Sequence, residues 1–196
     1  MVRKCSYPEF SFRGEIFLLL ALMLLILPLQ WVCAFFTAAL WHEVCHWVAV
    51  YLCGSQINRI SISPGGAVMD TPPLSSFREL ICTLAGPVGG FLLLLLARSF
   101  PRLALCGAVH SLYNLLPLLP LDGGRAFRTI AQCLFPKRAE AICTAVAWGT
   151  RIFLFGISLL VTVTWELGIL PFLCMVRLLL PNHAKTPCNT LPERVQ

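Results

Sequence analysis

The sequence predicts an all-α polytopic membrane protein with about six transmembrane helices and a short membrane-associated β-hairpin or re-entrant loop after the second helix. Three observations carry that class. Of 196 residues, 58% are hydrophobic and 12% charged, with a mean hydropathy of +0.79. This leaves too little polar surface for a soluble domain of that length. The apolar residues lie in runs too many and too long for one signal sequence. One segment, 55–76, departs from the pattern, with Ile57, Ile60, Ile62 and Val68 flanking Ser63-Pro64-Gly65-Gly66. β-Branched residues around such a turn read as a hairpin or re-entrant loop.

Residues 1–14 form a short polar start with Arg3, Lys4 and Arg13. A first span is expected over Glu15 to Val32, with Pro28 as a kink, and is read as retained because no small-residue cleavage site follows it. A second covers about Phe35 to Cys53 and stops at Gly54. The third, Phe77 to Phe100, contains the small-residue stretch Ala85-Gly86-Pro87-Val88-Gly89-Gly90, which bends a helix or lets a neighbour approach closely. The fourth, Leu103 to Leu121, is interrupted by Asn114, Pro117 and Pro120. Ala126 to Trp148 suits an interfacial helix, and two short spans follow, Arg151 to Trp165 and Leu167 to Leu180. Residues 15–180 thus make one membrane domain, and 181–196 a polar, disordered tail.

The net charge is +6, but the basic residues punctuate the ends of apolar runs and form no cluster, which speaks against a nucleic-acid partner. With six spans and the N-terminus inside, only Arg98 and Arg102 of the 15 basic residues fall outside. This bias predicts a multi-pass cell-membrane protein in contact with the lipid bilayer, with both termini cytoplasmic. The ten cysteines are scattered and form no C-x-x-C pair, so they read as small reduced hydrophobes.

The second span carries the motif His42-Glu43-Val44-Cys45-His46. Two imidazoles and a carboxylate within apolar sequence are costly unless something binds them. Residues four apart lie on one face of a helix, so His42 and His46 can share a metal ion. Glu43, about 100° round the helix, can reach a water at that metal as general base. A catalytic zinc takes three protein ligands as a rule. The candidates for the third are Cys45, His110, Asp122 and Glu166. Cys45 shares a helical turn with the first two, His110 reads equally as a hydrogen-bonded core residue, and Glu166 reads as a solvated carboxylate between spans. Asp122 is better placed, because it follows a run broken by prolines and precedes Gly123 and Gly124, which allow close approach. It can also cap the helix that begins there.

The stretch Asn114-Leu115-Leu116-Pro117-Leu118-Leu119-Pro120-Leu121-Asp122-Gly123 resembles the N-x-x-P-x-x-x-L-D-G signature of the site-2 protease family of intramembrane zinc metalloproteases. His42-Glu43-x-x-His46 is the other half of that signature, in the expected order. Ala85-Gly86-Pro87 resembles the family's Gly-Pro element, and Pro64-Gly65-Gly66 its glycine loop. The resemblance covers roughly residues 34–134. It implies His42, His46 and Asp122 as ligands of one Zn²⁺ and Glu43 as general base. It also implies substrate or oxyanion contacts for Asn114, Gly65 and Gly66. Cys45 stands where the family often has glycine. Size and span count look most like the sporulation-type branch, which implies a membrane-tethered sigma factor precursor as substrate and an inhibitory membrane partner. A non-catalytic binding protein on the same fold and a metal transporter are the competing classes. An intact Glu43 argues against the first, and the absence of repeated halves against the second.

Overall fold

The structure, a computed structural model, describes residues 9–12, 15–55, 59–63 and 66–165. The elements run β1 (Glu9–Phe12), α1 (Glu15–Ile26), α2 (Leu29–Leu52), β2 (Arg59–Ser63), β3 (Gly66–Asp70), α3 (Ser76–Leu92), α4 (Pro101–Asn114), α5 (Asp122–Leu134) and α6 (Ala139–Trp165). By compactness the chain divides into two units, Met1–Trp148 and Gly149–Gln196. Every described residue of the candidate site lies in the first.

Among the described residues, three helical segments are long and apolar enough to cross a membrane: Leu29–Leu52, Ser76–Leu96 and Ala139–Thr164. The six spans expected from sequence are not reached there. Helices α1, α4 and α5, of 12, 14 and 13 residues, fall short of the roughly 20 that a bilayer crossing needs. Proline accounts for most of the shift in boundaries. Pro28 sits in extended conformation at the N-cap of α2, so the expected first span ends at Ile26 and α2 starts at Leu29, six residues before the expected Phe35. Pro117 and Pro120 end α4 at Asn114 instead of Leu121. Pro136 separates α5 from α6, and α6 then runs unbroken through Arg151, joining the end of the expected interfacial helix to the expected fifth span. The expected sixth span and tail lie outside the described residues.

The three strands form one sheet in the order β1-β2-β3. β2 and β3 are antiparallel, with Ser61 opposite Val68 and Ser63 opposite Gly66. β1 runs parallel to β2, with Glu9 opposite Arg59 and Phe12 opposite Ile62. β2 is therefore central, and the polar start of the chain contributes a strand that the sequence reading did not contain.

Among the described residues the most deeply buried side chains are small or polar, while most of the large apolar side chains face outward. The largest fully buried side chains are His42, Thr83, Pro87 and Ser111, whereas Leu25 and Leu95 are 83% and 81% exposed. A water-soluble core has the opposite arrangement. Where α3 meets α4, a side chain on Gly90 would run into Ser111 and one on Gly107 into the Gly90 carbonyl. Small residues of this kind let membrane helices pack backbone to backbone. Gly54, at φ +72°, closes α2 in the left-handed conformation that glycine adopts without strain, and the Ser55 amide donates back to the Val50 carbonyl.

Candidate metal centre

The His-Glu-His motif lies in the middle of α2, where no proline or glycine interrupts the ladder. His42 and His46 therefore stand one turn apart on one face. Against that face α3 presents its glycines. A Cβ on Gly86 would overlap His46 Nε2, Cε1 and His42 Nε2, and one on Gly89 would overlap the Cys45 thiol. The two glycines are three residues apart, and together they make a backbone floor on which the imidazoles and the thiol rest. Trp41 Nε1 donates to the Gly89 carbonyl at 2.9 Å, pinning α2 to the same floor.

The third group arrives from the other side. The segment 115–121 folds back after α4, with Leu118 and Leu121 amides donating to Leu116 and Leu118 carbonyls. Gly123 and Gly124 pack directly on this turn, against the Leu115, Leu116 and Leu118 backbone. Asp122 is the first residue of α5. The cap position is taken by Leu121, which makes no side-chain cap bond. The capping role considered for Asp122 is thus not used, and its carboxylate is turned onto the imidazoles. A methyl at Gly123 is expected to push α5 off the Leu115 carbonyl. The overlap costs about 1–3 kcal/mol, which outweighs the roughly 1 kcal/mol of helix propensity that alanine adds. Gly123→Ala should therefore lower both thermal stability and metal retention, read by unfolding in detergent and by metal analysis.

His42 Nε2, His46 Nε2 and Asp122 Oδ2 form a nearly equilateral triangle. Each nitrogen is 3.0 Å from the oxygen and the nitrogens are 3.1 Å apart. His42 is 2% and Asp122 8% exposed. His46 Nδ1 lies 2.7 Å from the Cys82 carbonyl. A carbonyl only accepts, so Nδ1 carries a proton, and in the neutral ring Nε2 offers its lone pair to the triangle. An ionised carboxylate also only accepts. With the His46 ring neutral, its Nε2 and the Asp122 carboxylate oxygen are two acceptors 3.0 Å apart, which repel unless a proton or a cation lies between them. These three could hold a metal ion. Tetrahedral ligands at ordinary zinc distances stand about 3.3 Å apart, so a few tenths of an ångström of opening accommodates the ion.

The structure thus brings together three of the residues singled out from sequence. Glu43 is half-buried on the next position round α2 and acts electrostatically on His46. Asn114 closes α4, and its Nδ2 donates to the His110 carbonyl at 3.0 Å, one turn back. Gly66 opens β3 opposite Ser63, and Gly65 lies outside the described residues. Cys45 is not among the clustered residues and packs on Gly89. His110 is not in that cluster either. Its ring meets His42 at 4.8 Å between centroids, at 88°. The sequence reading found the glycines of α3 as a close-approach element. That imidazoles are what approach them carried no signal in one sequence.

No family model matches the chain, and no curated protein matches it. Among solved structures, a site-2 protease from Methanocaldococcus jannaschii matches with a TM-score of 0.63 and 20% identity, covering 91% of this chain and 90% of that one. The chain thus shares, over almost its whole length, the fold of a site-2 protease.

Proposed function

We propose that this protein is an intramembrane zinc metalloendopeptidase of the site-2 type, cutting a membrane-tethered protein in or near its transmembrane segment. The observation that carries the proposal is the buried triangle of His42, His46 and Asp122, built by two motifs 80 residues apart on the fold of a site-2 protease. His42, His46 and Asp122 would hold the ion. Bound zinc supplies a Lewis acid that acidifies water and polarises a carbonyl. Glu43, beside the triangle and outside it, takes the proton of the attacking water and passes it to the leaving amine. Trp41 packs and hydrogen-bonds to α3 and has no part in the chemistry.

A helical substrate hides its peptide bonds and must unwind to be cut. An extended segment can add to a sheet edge. β2 is flanked on both sides, Ser61 by Ser11 and by Val68, so β2 offers no edge and the outer side of β3, Gly66–Asp70, is the nearer candidate. Asn114 and the Gly65-Gly66 turn are assigned to substrate or oxyanion contacts on motif resemblance. The narrower reading, a sigma factor precursor as substrate and an inhibitory membrane partner, rests on the same resemblance. So does the placement of both termini in the cytoplasm.

The test is metal analysis and cleavage together. The purified chain should carry about one zinc, and chelation should stop cleavage of a single-span reporter, with restoration on adding zinc. Asp122→Asn should lose both metal and activity. Cleavage that persists in the metal-free chain would overturn the proposal.

A further inference from the structure

The two imidazoles of the triangle are fixed by different means. His46 gives its second ring N–H to the Cys82 carbonyl at 2.7 Å, the arrangement usual for a ligating histidine. His42 has no such partner among the described residues, and its Nδ1 is buried and unbonded. The terminal torsion of histidine is soft, so a ring without a hydrogen bond needs walls to keep Nε2 on target. Two rings supply them. His46 stands 4.7 Å from His42 at 81°, and His110 stands 4.8 Å away at 88°. The His110 ring also meets Phe35 at 5.9 Å and 85°. Phe35 and His42 lie seven residues, about two turns, apart on α2. His110 therefore enters from α4 as a knob between them. Its carbonyl accepts from Asn114 Nδ2, so the same residue joins the wall of the triangle to the end of α4. The proposed reaction makes no use of His110.

We infer that His110 is a positioning residue, whose ring holds the His42 imidazole in ligating orientation by edge-to-face packing, in place of the missing hydrogen bond. The inference rests on the metal reading of the triangle. It concerns the ring and not its nitrogens, since a perpendicular ring stack is favourable for any aromatic side chain.

The test uses the full chain in detergent, with zinc affinity from competition against a chromophoric chelator and the visible d–d spectrum of the cobalt-loaded protein. His110→Ala should weaken zinc binding by about tenfold or more, the usual effect of losing the support of a ligand, and shift the cobalt bands. His110→Phe should bind and absorb like the wild type. Unchanged affinity and spectrum in the alanine variant would overturn the inference, as would a phenylalanine variant as weak as alanine. If the alanine variant does not fold, His110→Gln replaces it, with similar bulk and no ring. Weak binding by Gln beside normal binding by Phe then supports the inference, and equal binding by the two overturns it. A wild-type chain that binds neither ion overturns the metal site itself. A wild type that binds both, with variants that match it, overturns only the role of His110.

Discussion

Replacing Glu43 by Gln is expected to abolish peptide-bond cleavage and to leave the metal in place. Glu43 sits on α2 next to His42 but outside the ligand triangle. The substitution keeps the size of the side chain and removes its charge and its ability to take a proton. General base catalysis contributes about 10²–10⁴-fold, or about 3–5 kcal/mol of barrier. Zinc content should match the wild type, in contrast to His46→Ala, where a ligand is lost and both metal and cleavage go. The readout is appearance of the cut product of a co-expressed single-span reporter that the wild type cleaves, beside metal analysis of the same preparations. Cleavage at the wild-type rate by Glu43→Gln would sink the mechanism, and loss of metal would move Glu43 into a structural role.

Gly86→Ala is expected to destroy the metal centre without touching a ligand. The added methyl would overlap Nε2 of both histidines, the atoms that face the ion. The rings can swing away, but only by leaving the triangle. Alanine gains roughly 1 kcal/mol over glycine in a helix, while overpacking costs about 1–3 kcal/mol. Unlike Gly123, whose methyl would meet backbone, Gly86 faces side-chain rings that relieve the overlap by turning, so global stability should fall by less than in Gly123→Ala while metal binding falls towards zero. Val88→Ala, two residues along and 56% exposed in the wild type, is the control and should keep its metal. Zinc analysis and thermal unfolding of the two variants side by side separate local blockage from unfolding. A Gly86→Ala chain with a full complement of zinc would show that the floor under the imidazoles is not where the structure puts it.

The clustering of His42, His46 and Asp122 was legible because each half carries its own local logic. His42 and His46 share a face by helix periodicity alone, and Asp122 stood out through the prolines before it and the glycines after it. The hairpin segment was legible from its β-branched residues and turn. Strand β1 was not, since four residues with no partner nearby in sequence carry no signal, and Glu9 pairs with Arg59 fifty positions away. Helix ends were misread where hydropathy and the hydrogen-bond ladder disagree. Leu115 to Leu121 is apolar, yet its prolines cannot continue α4. Arg151 looks like a boundary, yet one charge does not interrupt the ladder of α6. The role of Cys45 became readable only when Gly89 was placed beneath it. His110 looked like either a ligand or a core residue, and the ring geometry makes it a neighbour of His42.

The triangle has one more consequence, for how the chain holds together. Its corners sit on α2 and α5, so an ion bound there ties positions 42 and 122 as a cross-link does, closing a loop of 80 residues. An ion that binds only the folded chain adds its own affinity to that chain's stability. On the proposed reading, the ion that serves the chemistry is then also a clasp, and a chain stripped of metal is expected to be both inert and easier to pull apart.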